Sequence, residues 1–178
     1  MLIRVLLIAS VMGYMTGLAR AEFIAPTSEQ LDAVALAPNL VVSLLSDATE
    51  AQAAGVIRDA VSRITSLGLS ETQQSARIAS LIKSAFAGWT GQSSTLAAAL
   101  GQALATDVSL VAAPAVISAV QQSIMAMDQS TGGDASGSFS RAYQAILSAP
   151  SNAGTGPSGE LVAVAPPVAL TYEGQSLP

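Results

Sequence analysis

Ser80-Leu81-Ile82-Lys83 is the one stretch of this chain in which a nucleophile and an amine base are spaced to lie one helical turn apart. In that arrangement the lysine helps the serine hydroxyl attack a carbonyl, giving an acyl-enzyme. Little else in the chain suits catalysis. There is no histidine and no cysteine, and Lys83 is the sole lysine. General acid–base, thiol and structural-zinc chemistry draw mostly on those side chains, so most enzyme classes are disfavoured.

The Ser-x-x-Lys pattern matches that of penicillin-binding proteins and serine β-lactamases, but the companion elements are absent. Their Lys-Thr-Gly element needs a second lysine, and their serine opens a helix. Here a helix is expected to begin at Ser70, which puts Ser80 mid-helix, with Lys83 beside it on the polar side. Gly154-Thr-Gly-Pro-Ser-Gly159 fits G-x-G-x-x-G literally. A helix precedes it and Pro157 interrupts it, whereas a dinucleotide site needs a strand before and a helix start within, so it reads as linker. Asp128 to Asp134 has a faint calcium-loop character, with Gly133 at the sixth position. Phe139 stands where a bidentate glutamate is needed, so a solvated loop is expected. No two carboxylates are marked for a shared cleft. Glu29, Asp32, Asp47, Glu50, Glu71 and Asp107 fall at expected helix starts, where the helix dipole accounts for them. Asp59 is expected to pair with Arg58 and Arg63 in solvent. No catalytic, cofactor-binding or metal-binding residues are assigned, and no cofactor is implied.

Residues 1–21 have the parts of a secretory signal: Arg4, an apolar stretch from Val5 to Leu18, and Ala19-Arg20-Ala21 as a small-x-small cleavage pattern. The stretch is shorter than the roughly 20 residues of a spanning helix and is diluted by Gly13, Thr16 and Gly17. Cleavage between Ala21 and Glu22 and export to a periplasm or the extracellular space are expected. Basic residues Arg58, Arg63, Arg77, Lys83 and Arg141 then face 12 acidic ones. Nucleic acid and anionic membrane surfaces, which need clustered cations, are poor partners for such a chain. Leu96 to Val120 is largely apolar, but Asp107 near its centre would cost about 2.5–3.5 kcal/mol in a bilayer, so no transmembrane span is expected in the mature chain.

Helical periodicity organises residues 22–150. Thr27 with Gln30 has capping-box spacing and starts a short helix ending near Pro38; Asn39 starts another through Leu45. Asp47 with Glu50 repeats the spacing before a stripe of Ala53, Ala54, Ile57, Ala60, Val61 and Ile64, which stops near Gly68. Ser70 with Gln73 opens the next stripe, Ile78, Leu81, Ile82, Ala85, Phe86 and Trp89, closed by Gly88 and Gly91. Leu96, Leu100 and Leu104 mark a helix after Ser93 or Ser94. Asp107 starts a segment broken at Pro114, from which a helix runs through Val116, Val120, Ile124 and Met127. Asp128 to Ser138 is rich in Gly, Ser and Asp and is expected to be loop. A last helix holds Phe139, Tyr143, Ile146 and Leu147.

The fold expected is all-α, a bundle or short irregular stack of about six to seven alanine-rich helices, on residues 22–150. Residues 151–178 form a Gly/Ser/Pro linker and an apolar tail, mostly disordered or extended, with Leu161 to Ala165 and Val168 to Tyr172 flanking Pro166-Pro167. The functional expectation is an exported, non-catalytic helical protein, structural or protein-binding, acting in a bacterial envelope or outside the cell. Its partner is another protein or a second copy, with Trp89 as a candidate anchor if it does not simply close its helix onto the core. The alternatives are a small hydrolase using Ser80 and Lys83 or carboxylates, and a self-assembling subunit whose tail docks on a neighbour.

Overall fold

The computed structural model of the chain describes residues 23–149. The expected signal segment, the Gly154–Gly159 stretch and the expected tail lie outside them. The described residues form eight helices and no strand: α1 (Ser28–Leu36), a 3-10 turn (Pro38–Leu40), α2 (Val41–Leu44), α3 (Glu50–Ser66), α4 (Glu71–Gly88), α5 (Ser93–Ala105), α6 (Val108–Val111), α7 (Pro114–Thr131) and α8 (Ala135–Ser148). The all-α fold is as expected. The single-turn α6, expected only as a broken segment before Pro114, brings the helix number to eight.

Local chemistry explains most helix starts. Thr27 and Ser70 form reciprocal capping boxes with Gln30 and Gln73, each satisfying two backbone N–H groups that the first turn leaves orphaned. For α3 the box is Thr49 with Gln52, not Asp47 with Glu50. Two overlapping patterns competed, and the one two residues later prevailed; Asp47 instead accepts a hydrogen bond from the Ser46 hydroxyl at 3.3 Å. The second short segment begins at Pro38 rather than Asn39. Neither Ser93 nor Ser94 caps α5, whose N-cap is Gln92 with no side-chain hydrogen bond. Asp107 caps α6, and Pro114 sits in the first turn of α7, where its missing N–H costs nothing.

The expected Asp128–Ser138 loop is instead two helix ends and a three-residue turn. Helix α7 continues to Thr131 and closes on left-handed Gly132, whose N–H donates to the Asp128 carbonyl at 2.7 Å. The Asp128 carboxylate then accepts from the backbone N–H of Ala135 at 3.0 Å and of Ser136 at 2.7 Å. A side chain of one helix thus caps the next. Residues that look like loop formers by composition lie in helix on either side of the turn that these bonds, spanning seven and eight residues, bridge.

Helix contacts close into a ring, α3–α5–α8–α7–α4–α3, with α1 on α3 and the 3-10 turn on α4. A linear stack would pair only chain neighbours. Here α5 packs on α3 and α8, which brings the C-terminal helix back beside the middle of the chain. Inside lies one core of small and medium aliphatics, including the full α3 stripe and Ile78, Leu81, Leu96, Leu100, Val120 and Ile124. Among the described residues no polar or charged residue is buried. The tightest seam joins α5 to α8: a Cβ on Gly101 would lie 2.5 Å from the Phe139 carbonyl oxygen and 3.1 Å from the Tyr143 nitrogen. The Phe139 and Tyr143 rings stack one turn apart, 5.9 Å between centroids.

Candidate functional site

A cluster of charged side chains lies where α1, α3 and the residue that caps α6 come together. Packing of α1 on α3 supplies Leu31 and Asp32, and α3 contributes Arg58, Asp59, Ser62 and Arg63. Because α5 lies on α3 and α6 follows α5 directly, Asp107 arrives beside the same face. Leu31, Arg58, Asp59, Ser62, Arg63 and Asp107 line an open groove of about 380 Å³.

Two guanidinium groups and two carboxylates line this groove, and a third carboxylate, Asp32, faces Arg63 beside it. Arg58 donates from Nε at 2.9 Å and from Nη2 at 2.6 Å, both to Oδ1 of Asp59. Arg63 approaches Asp32 across the α1–α3 contact, Nη1 to Oδ1 at 3.4 Å. That is longer than the roughly 2.7–2.9 Å of a charge-assisted hydrogen bond. The sequence reading put Arg63 with Asp59 and Asp32 at a helix dipole; the structure pairs the two with each other. Asp107 accepts from the N–H of Ser109 at 3.0 Å and of Leu110 at 3.3 Å. The Ser109 hydroxyl bond holds the Asp107 carboxyl below its ordinary range. Burial opposes this, while the Leu110 and Ser109 amides and the Arg58 charge reinforce it. Among the described residues, Nη1 of Arg58, Nε and Nη2 of Arg63, and the Oδ2 atoms of Asp59 and Asp107 carry no hydrogen bond within the protein.

A second, broader groove of about 640 Å³ runs between α4 and α7, lined mainly by Ala76, Ala79, Ala115 and Ala126 with Ser75 and Ser118. It offers small side chains and hydroxyls but, apart from Glu71 at its edge, no charge.

Ser80 and Lys83 lie on the exposed surface of α4, outside both grooves. No hydrogen bond joins them among the described residues. The Asp128 carboxylate spends its oxygens on the start of α8. Burial raises the Asp128 carboxyl, and bonds from the Ser136 hydroxyl and amide and the Ala135 amide outweigh it, leaving the group below its ordinary value. Among the described residues no three metal-ligating side chains gather, and no helix is long and apolar enough to cross a membrane. Trp89 caps the end of α4, half-buried against the core, and Gly91 leaves room for its ring: a Cβ there would meet Nε1 at 2.7 Å. Its Nε1 is buried without a partner among the described residues.

Sequence reasoning missed Arg77, which donates from Nη1 to the carbonyls of Ala35 at 2.7 Å and Leu36 at 2.9 Å and so caps the end of α1 from α4. It also missed the gathering of Arg58, Arg63 and Asp107, because α3 and α6 are brought together only by the packing of α5. Arg58 and Arg63 in one helix were the available signal: two of the seven cations of the sequence within six residues of a chain poor in charge.

No protein-family profile matches the chain, and no curated protein or solved structure shows significant similarity to it.

Proposed function

We propose that this chain is exported, loses residues 1–21, and acts as a non-catalytic helical protein that binds another protein in the envelope or extracellular space. The observation that carries the reading is the Arg58–Arg63–Asp107 groove, where guanidinium and carboxylate atoms with no hydrogen bond among the described residues lie beside apolar Leu31. Protein interfaces use such charge arrangements for orientation and specificity, and arginine is enriched in them. A serine–lysine hydrolase has less support, because Ser80 and Lys83 stand exposed and away from both grooves.

The test is a chemical cross-linking pull-down from the envelope fraction of the source cells. It uses the mature chain and an Arg58→Gln/Arg63→Gln variant shown by circular dichroism to fold. The reading predicts a protein captured by the first and lost with the second. Equal capture by both, or hydrolase activity that disappears in Ser80→Ala, would contradict it. N-terminal sequencing of the exported product is expected to begin at Glu22.

A further inference from the structure

We propose that the apolar segment 161–172 of this same chain packs on the exposed C-terminal end of α8 and completes that helix's apolar face. The proposal goes beyond the protein-binding reading and holds whether or not the groove beside α3 has a partner. Phe139, Tyr143, Ile146 and Leu147 follow one another at i, i+4, i+7 and i+8, an arc of about 100° on one side of α8. Arg141, Gln144 and Ser148 lie on the other side. Phe139 is 1% exposed, and its ring stacks on half-buried Tyr143. One turn further on, the same face is uncovered: Ile146 is 38% exposed and Leu147 46%. The apolar stripe of an amphipathic helix thus runs past the core that covers its beginning.

The occupant follows from what comes after α8 in the chain. Residues 150–160 have linker composition, and residues 161–172 carry no charge, with Leu161, Val162, Val164, Val168 and Leu170 as their larger aliphatics. Leu147 lies about 5 Å along the helix axis from the start of that linker, whereas eleven residues of such composition span about 17–20 Å. The segment can therefore return to Ile146 and Leu147, at an effective concentration that is roughly millimolar. A second copy docking end to end is a poor occupant. Two partly exposed side chains fall far short of the roughly 800 Å² per partner that a stable interface buries. The α4–α7 groove is a poor destination for the segment, because alanine, serine, Gln122 and Glu71 line it and no large apolar side chain does. Pro166 and Pro167 have a fixed φ and no N–H, which lowers the entropy lost when the segment is held in place.

The experiment is solution NMR on the isotope-labelled mature chain. Nuclear Overhauser contacts are expected from side chains of 161–172 to the Tyr143 ring and to the Ile146 and Leu147 methyls. In Ile146→Ser/Leu147→Ser the contacts from the segment to Tyr143 should vanish. Both substituted positions are exposed, and unperturbed signals of buried Leu100, Leu104 and Phe139 report that the variant folds. Leu161→Ser/Leu170→Ser, which alters the segment alone, should remove the same contacts and shift the amide signals of residues 143–148. A 1:1 mixture of labelled and unlabelled chains, read for contacts between the two, should show none. No contact between the segment and α8, contacts from the segment to another element, or contacts to Tyr143 that persist in either variant would overturn the proposal. Contacts between chains in the mixture would put the segment on a neighbouring copy and overturn the assignment within one chain.

Discussion

Gly101→Ala sets two opposed effects against each other at the seam between α5 and α8. In an isolated helix the change is favourable by about 1 kcal/mol, because alanine loses less backbone entropy than glycine. In the bundle the new methyl would stand 2.5 Å from the Phe139 carbonyl oxygen. An acceptable carbon–oxygen contact is about 3.3 Å or more, so the helices must part by roughly 0.8 Å. The obstacle is backbone, which no rotamer change can clear. A gap of that size forfeits a quarter to a half of each dispersion contact it opens, and overpacking costs about 1–3 kcal/mol or more. Leu100, Leu104 and Phe139, fully buried on the two helices, have most to lose. The net expectation is a loss of about 2 kcal/mol, a Tm lower by roughly 6–10 °C for a domain of this size. Gly55→Ala is the control: it lies in α3 with nothing within 4 Å of its added Cβ. It should gain about 0.5–1 kcal/mol. Urea denaturation followed by helical circular dichroism measures both. A Gly101→Ala protein as stable as wild type would show that α5 and α8 do not meet backbone to backbone.

Three further expectations come from the caps and long-range bonds. Thr49→Ala should cost about 1 kcal/mol and Asp47→Ala less than about 0.5, since only Thr49 caps α3; the reverse order in urea denaturation would restore Asp47 as the cap. Arg77→Ala removes two charge-assisted bonds to the end of α1 and should cost about 1–2 kcal/mol. Its signature is faster hydrogen exchange in α1 than in α5, and uniform acceleration would argue against a local cap. Asp128 and Asp107 are both held below the usual carboxyl value, so the unfolded chain binds protons first as pH falls. Their stabilisation is therefore complete above about pH 5 and is lost as pH drops through the lowered folded values. Asp128→Ala should flatten that acid slope, and an unchanged slope in pH-dependent melts would separate the carboxylate from the start of α8.

The helices were readable in advance where sequence-local rules govern. The α3 stripe from Ala53 to Ile64 and the boxes at Thr27 and Ser70 need only periodicity and a three-residue spacing. Reading failed where a partner on another helix decides. The Asp128–Ser138 segment is polar and glycine-rich, yet helix holds because the Asp128 carboxylate reaches the N–H groups of Ala135 and Ser136. Arg63 was assigned to a neighbour in sequence and is found on Asp32 of another helix. The groove was illegible for the same reason: Asp107 reads as a helix cap, which it is, and its nearness to Arg58 depends on α5 packing against α3. Ser80 and Lys83, by contrast, were legible as an exposed pair on mid-helix α4.

The most direct measurement is photo-cross-linking in the source cells from a benzophenone side chain placed at Ser62 on the groove wall, compared with one at exposed Ser80 outside it. A discrete protein adduct from position 62, absent from position 80, is the predicted result. No adduct from 62, or the same adduct from both positions, would contradict a binding role for this groove.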